Sequence, residues 1–110
     1  MAKAKTWRDG IEITDESKLV EGHSNGAWEK TVVFRVGGKK FKIFIKLESY
    51  AFQSVASLCQ WTDADGFSHI VGKNPKRDFA IDVSYQRNVP PGAFDPMLTD
   101  LVRIAKSFAE

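Results

Sequence analysis

Residues 27–48 read AWEKTVVFRVGGKKFKIFIKLE, and the adjacent Gly37 and Gly38 decide how the stretch folds. Two glycines in a row supply the positive φ angles of a type I′ turn, whose twist matches that of the strands it joins. Counting outward from the turn pairs Val36 with Lys39, Phe34 with Phe41, Val32 with Ile43 and Trp28 with Leu47. Neighbouring strand residues point to opposite faces, so this register gathers large apolar groups on one side. The other side receives Arg35 with Lys40, Val33 with Lys42, Thr31 with Phe44 and Glu29 with Lys46. The hairpin thus has an apolar face for a core and a basic face, carrying one phenylalanine, for water.

Upstream, residues 1–9 read as a flexible basic tail, with Trp7 pinning its end to the core. Ile11 and Ile13 alternate with Glu12 and Thr14, the pattern of a short edge strand. Asp15 to Gly26 is a polar connection with one helical turn expected near Leu19 and Val20. Acids outnumber bases from Asp9 to Glu29, whereas Lys30 to Lys46 holds six bases and no acid.

Downstream, Ser49 to Thr62 is ambiguous. Ala51, Phe52, Val55, Leu58 and Cys59 fall at helical spacing, yet Asp63-Ala64-Asp65-Gly66 suits a hairpin loop closed by a left-handed glycine. The loop chemistry favours a strand from about Phe52 to Thr62 paired with Phe67 to Val71, with Gln60 opposite His69 and Cys59 opposite Ile70. Gly72 to Arg77 reads as a basic loop, and Phe79, Ile81, Val83 and Tyr85 alternate with polar or small residues as a further strand. Val89-Pro90-Pro91-Gly92 cannot continue a sheet interior, because proline has no amide proton to donate. A C-terminal helix follows, capped by Asp95 with Pro96 at its first position. Its apolar stripe is Leu98, Leu101, Val102, Ala105, Phe108 and Ala109, with Arg103, Lys106 and Glu110 toward water. The expected architecture is a single α+β domain over residues 1–110: an antiparallel, largely meandering sheet with the C-terminal helix packed on one face.

Composition narrows the function. The 110 residues are 43% hydrophobic and 27% charged, ordinary for a globular domain, and the net charge of +2 does not by itself call for nucleic acid or a membrane surface. The single Cys59 excludes an internal disulfide. MAKAKTWRDG has no apolar run of a secretory signal and no stretch is long enough to span a bilayer, so the cytoplasm is the expected location and a membrane is not an expected partner.

Catalytic and metal chemistry find little support. Cys59 and His69 fall on opposite faces in the register above, and a thiol nucleophile needs an imidazole within reach. Cys59, His69 and His23 are too few and too scattered for zinc. Asp63-x-Asp65-Gly66 lacks the further oxygen ligands of a calcium loop. Gly37-Gly38 joins two strands, so no helix N-terminus stands ready for a phosphate. No metal and no cofactor are expected.

The basic face is the sharp feature: Arg35, Lys40, Lys42, Phe44 and Lys46 on one side of one hairpin, with Lys73, Lys76 and Arg77 as an extension if their loop lies nearby. The expectation is a non-enzymatic binding module that uses those five residues on another protein with an acidic surface. Val33, Phe44 and Trp61 would serve as apolar anchors. The alternative is a nucleic-acid-binding protein using the same hairpin, against which stands the single stacking ring, Phe44. The acidic segment from Glu12 to Glu21 folding over the basic face within the molecule is a further alternative, as is a homodimer through a sheet edge.

Overall fold

The computed structural model describes residues 6–17, 20–21, 28–47, 54–79 and 94–109. Among the described residues six strands form one sheet: β1 (Glu12–Glu16), β2 (Val20–Glu21), β3 (Trp28–Val36), β4 (Lys39–Leu47), β5 (Val55–Thr62) and β6 (Gly66–Lys73). Five lie side by side in the order β1-β3-β4-β5-β6, and β2 pairs with β3 beyond the end of β1. Every pairing is antiparallel and β3 to β6 run as a meander. A short helix, α1 (Pro75–Phe79), follows β6, and α2 (Asp95–Ala109) lies across one face of the sheet. The fold is α+β, as the residue pattern predicts.

The β3–β4 register is the one the glycines dictate, from Val36↔Lys39 through Trp28↔Leu47. Gly37 and Gly38 have φ of 59° and 79°. A Cβ on Gly37 would also stand 3.0 Å from Cβ of Ala109, so the turn is glycine for space as well as for angle. Val32, Phe34, Phe41, Ile43, Ile45 and Leu47 are fully buried on the helix side, joined by Leu58 of β5 and by Met97, Leu98, Leu101, Val102 and Ala105 of α2. Phe34 and Phe41 stack with centroids 5.7 Å apart. Fully burying each large side chain stabilises by roughly 1.5–3 kcal/mol, so docking rather than intrinsic propensity holds α2 in place.

Several expectations are corrected. Trp7 does pin the end of the N-terminal segment to the core, at 8% exposure, but residues 6–9 are held rather than flexible: Thr6 and Asp9 close a turn, and Nζ of Lys106 donates to the Asp9 carbonyl at 2.6 Å; residues 1–5 are outside the described residues. Val20 extends the edge of the sheet opposite Glu29 instead of forming a helical turn; Leu19 is outside the described residues. β5 begins at Val55, and Phe52 is outside the described residues. Gly72 and Lys73 finish β6, and Pro75–Phe79 is helical, so Phe79 belongs to α1 and not to a strand; residues 80–93, with the rest of that expected strand and the Pro90-Pro91 break, are outside the described residues. The cause is local. The Asn74 side-chain oxygen accepts from the Arg77 amide, Pro75 fills the first helical position, and the Asp78 carboxylate accepts from the Asn74 amide at 2.8 Å.

The start of α2 also shifts by one residue. The Leu98 amide donates to the Phe94 carbonyl, which makes Phe94 the cap and puts Asp95 in the first turn, where its charge suits the helix dipole. Phe108, expected on the buried stripe, is 44% exposed, and Met97 takes a place in the core instead. At the other end Nζ of Lys39 donates to the Phe108 carbonyl at 2.9 Å, satisfying one of the orphan acceptors of the helix terminus.

Candidate binding face of the sheet

The face away from α2 carries the five residues singled out by the sequence. Arg35 stands opposite Lys40, Lys42 opposite Val33, Phe44 opposite Thr31 and Lys46 opposite Glu29, all on the parity opposite to the core. Arg35 is exposed, and Lys40, Lys42, Phe44 and Lys46 are half-buried.

What the sequence pattern does not reveal lies on the next two strands. The β5–β6 hairpin does not start with a four-residue loop. Gly66 (φ 68°) pairs with Thr62, which sets Trp61 opposite Phe67, Gln60 opposite Ser68 and Cys59 opposite His69. An irregularity between Leu58 and Cys59 then restores the expected register, with Leu58 opposite Val71. The one-residue difference near the turn reverses the face on which a side chain emerges. Phe67, which the expected register turns toward the core, instead meets Trp61 edge-on at 5.1 Å on the basic face. The signal that could have found it is Gly66 itself, since a left-handed glycine can be the first paired residue of the returning strand as readily as the last of the loop.

Lys40 and Lys42 converge on these rings. Nζ of Lys40 is 5.1 Å from the Trp61 ring centroid and 5.7 Å from that of Phe67, and Nζ of Lys42 is 5.5 Å from Phe67. Attraction between an ammonium and a ring quadrupole is worth about 0.5–1 kcal/mol at such exposed positions. Trp61 keeps 41% of its surface exposed, its Nε1 donating to Asp63 Oδ1 at 3.4 Å. Among the described residues Arg35, Lys40 and Lys42 have no carboxylate within ion-pair distance. Between Trp61 and Val55 on this face of β5 stand two small residues, Ser57 and Cys59, both buried.

The register also corrects the relation of Cys59 to His69. They are direct cross-strand partners, with Lys42 on the other side of Cys59. No hydrogen bond joins the thiol to the imidazole, and burial pushes the Cys59 thiol up while Lys42 pulls it back in part. That is the reverse of what an activated thiolate needs. Among the described residues no three His, Cys, Asp or Glu side chains gather as a metal-holding group.

The expected extension through Lys73 does not form on this face. Lys73 pairs with Ala56 on the core parity and its ammonium bonds Asp100 of α2; Arg77 binds the neighbouring Asp78. Glu12 to Glu16, the alternative cover of the basic face, instead runs beside β3 as an edge strand. Its Glu16 turns to the helix side, taking two hydrogen bonds from Arg8 (2.5 and 2.7 Å) and one from Lys30. The Arg8 bonds, opposed by burial and aided by Lys30, hold the Glu16 carboxyl at a pKa of about 2. The described helices include none long and apolar enough to cross a membrane. No family model, curated protein or solved structure matches this chain.

Proposed function

We propose that this protein is a small, non-enzymatic binding module whose open sheet face, built on Arg35, Lys40, Lys42, Phe44 and Lys46, engages an anionic macromolecule. The observation that carries the reading is the contrast in pairing. Bases on the helix side are engaged within the molecule, whereas Lys40 and Lys42 rest on the rings of Trp61 and Phe67 and, among the described residues, have no carboxylate within ion-pair distance. Cations whose stems are packed and whose heads are unneutralised give an acidic partner both attraction and a defined approach. An exposed aromatic such as Trp61 is of a type enriched at interfaces over the rest of a protein surface.

The test is retrieval of partners from cell lysate by the wild type and by a Lys40→Glu, Lys42→Glu variant, each with and without nuclease. The expected outcome is a partner retained by the wild type and lost by the variant. Identical retrieval by both proteins would leave the face as a solvated sheet surface and end the proposal.

A further inference from the structure

We infer that the occupant of this face is single-stranded nucleic acid, with Trp61 and Phe67 as a base-stacking platform and Lys40, Lys42 and Arg35 as its phosphate partners. The inference rests on the binding-face reading above and names its ligand. Charge alone does not separate an acidic polypeptide from a polynucleotide, since both carry closely spaced anions. The rings do. A nucleotide offers a planar base and an anionic phosphate a few ångströms apart, which matches a ring framed by lysines, whereas lysines are depleted at protein-interface centres.

The objection of a single stacking ring is removed by the β5–β6 register. Trp61 and Phe67 form one aromatic site and Phe44 a second. Phe44 lies four residues along and two strands across from the Phe67 row, roughly 16 Å away at ~3.3 Å per residue and ~4.8 Å per strand. That separation is about five nucleotides at the ~3.4 Å stacked spacing of one DNA strand. The ground between them is low: Ser57 and Cys59 are small, and Gly72, opposite Ser57, would let an added Cβ meet nothing within 4 Å.

The far side of the sheet sets the direction. Glu12 stands opposite Arg35 and Asp15 opposite Val33, so acid begins at the β1 edge, Arg35 marks the border of the basic ground, and phosphate is steered toward the Lys40–Trp61–Phe67 side. Duplex is disfavoured, because its bases are stacked on one another and closed to the rings, and a broad sheet face does not enter a groove.

The experiment is fluorescence anisotropy with dye-labelled oligothymidine and oligouridine of about 12 nucleotides, the size range of a small single-strand site, beside a duplex and poly-glutamate of similar charge. The single strands are expected to bind, and three phosphate contacts predict a slope of log affinity against log salt of about −2. Trp61→Ala should weaken binding roughly 5- to 150-fold, the worth of one base–aromatic stack, and Trp61→Phe should recover much of it; circular dichroism checks the fold of each variant. Single-strand affinity unchanged in Trp61→Ala, or equal affinity for duplex, overturns the inference. So does capture of poly-glutamate alone, but if Lys40→Glu, Lys42→Glu abolishes that capture the binding-face reading survives. Absence of all binding, with the lysate partners unchanged in the variant, removes both.

Discussion

The two faces of this sheet are built from the same strands, yet they treat their charges in opposite ways. On the helix side nearly every base described is engaged within the molecule. Arg8 and Lys30 clasp Glu16, Lys73 and Arg103 clasp Asp100, Lys39 closes the end of α2, and Lys106 holds the Asp9 turn. These contacts rim a core whose strand residues are wholly excluded from solvent. On the open side Lys40 and Lys42 meet rings instead of acids, and Arg35 is exposed. One face uses its charge to hold the fold, and the other leaves it to be read from outside. A basic hairpin is therefore not a uniform patch: which bases are free to bind depends on the parity of each along its strand.

The comparison breaks most readily at the core. Leu58→Ala and Ile43→Ala remove fully buried side chains beneath α2 and should each cost about 2–5 kcal/mol in urea unfolding. A cost near zero would mean that the helix-side packing does not carry the fold. Next comes the hairpin tip. Gly37→Ala places a Cβ at φ 59° and 3.0 Å from Ala109, and should destabilise by about 1–2 kcal/mol while loosening the end of α2. Amide exchange of residues 105–109 checks the second effect.

The Glu16 cluster sharpens the contrast through pH. Its carboxyl pKa is depressed in the folded state, from 4.5 to about 2. The stability it contributes is thus present above the unfolded value and lost as pH falls through the folded one. Wild type should lose stability between about pH 4.5 and 2 at this site, and Glu16→Gln should flatten that part of the profile while costing about 1 kcal/mol at neutral pH, discounted for solvent exposure. A profile identical in both proteins would remove Glu16 from the account. Asp100 behaves in the same sense: burial works against its charged form, but hydrogen bonds from Lys73 and Arg103 outweigh it and lower its pKa.

The smallest effect is the most informative. Lys40→Gln with Lys42→Gln on the open face should change unfolding free energy by no more than about 1 kcal/mol, the scale of the lost ring contacts. A loss comparable to Leu58→Ala would make these lysines structural and leave the open face without free cations.

Much of this was legible along the chain. The Gly37-Gly38 turn specified nine cross-strand pairs, and with them the parity of Arg35, Lys40, Lys42, Phe44 and Lys46. The spacing of Leu98, Leu101, Val102 and Ala105 located the helix and its buried side. Asn74-Pro75 carries cap-and-proline chemistry, but it starts a helix of only five residues, too short for apolar periodicity to announce. Phe108 departs from its stripe because helical spacing says which residues share a face, not where the underlying sheet ends.

By itself, then, the sequence determined the α+β class, the central hairpin with its register, and the division of that hairpin into an apolar and a basic face. Those properties follow from local rules, glycine dihedrals and period-two alternation, that act over a few residues. Only the tertiary structure decided that Phe67 joins Trp61 beside Lys40 and Lys42, that Cys59 faces His69, and that Lys73 turns away to Asp100. The first two depend on where one extra residue is taken up between β5 and β6, and the third on α2 bringing Asp100 within reach of Lys73, neither of which a local rule over a few residues decides.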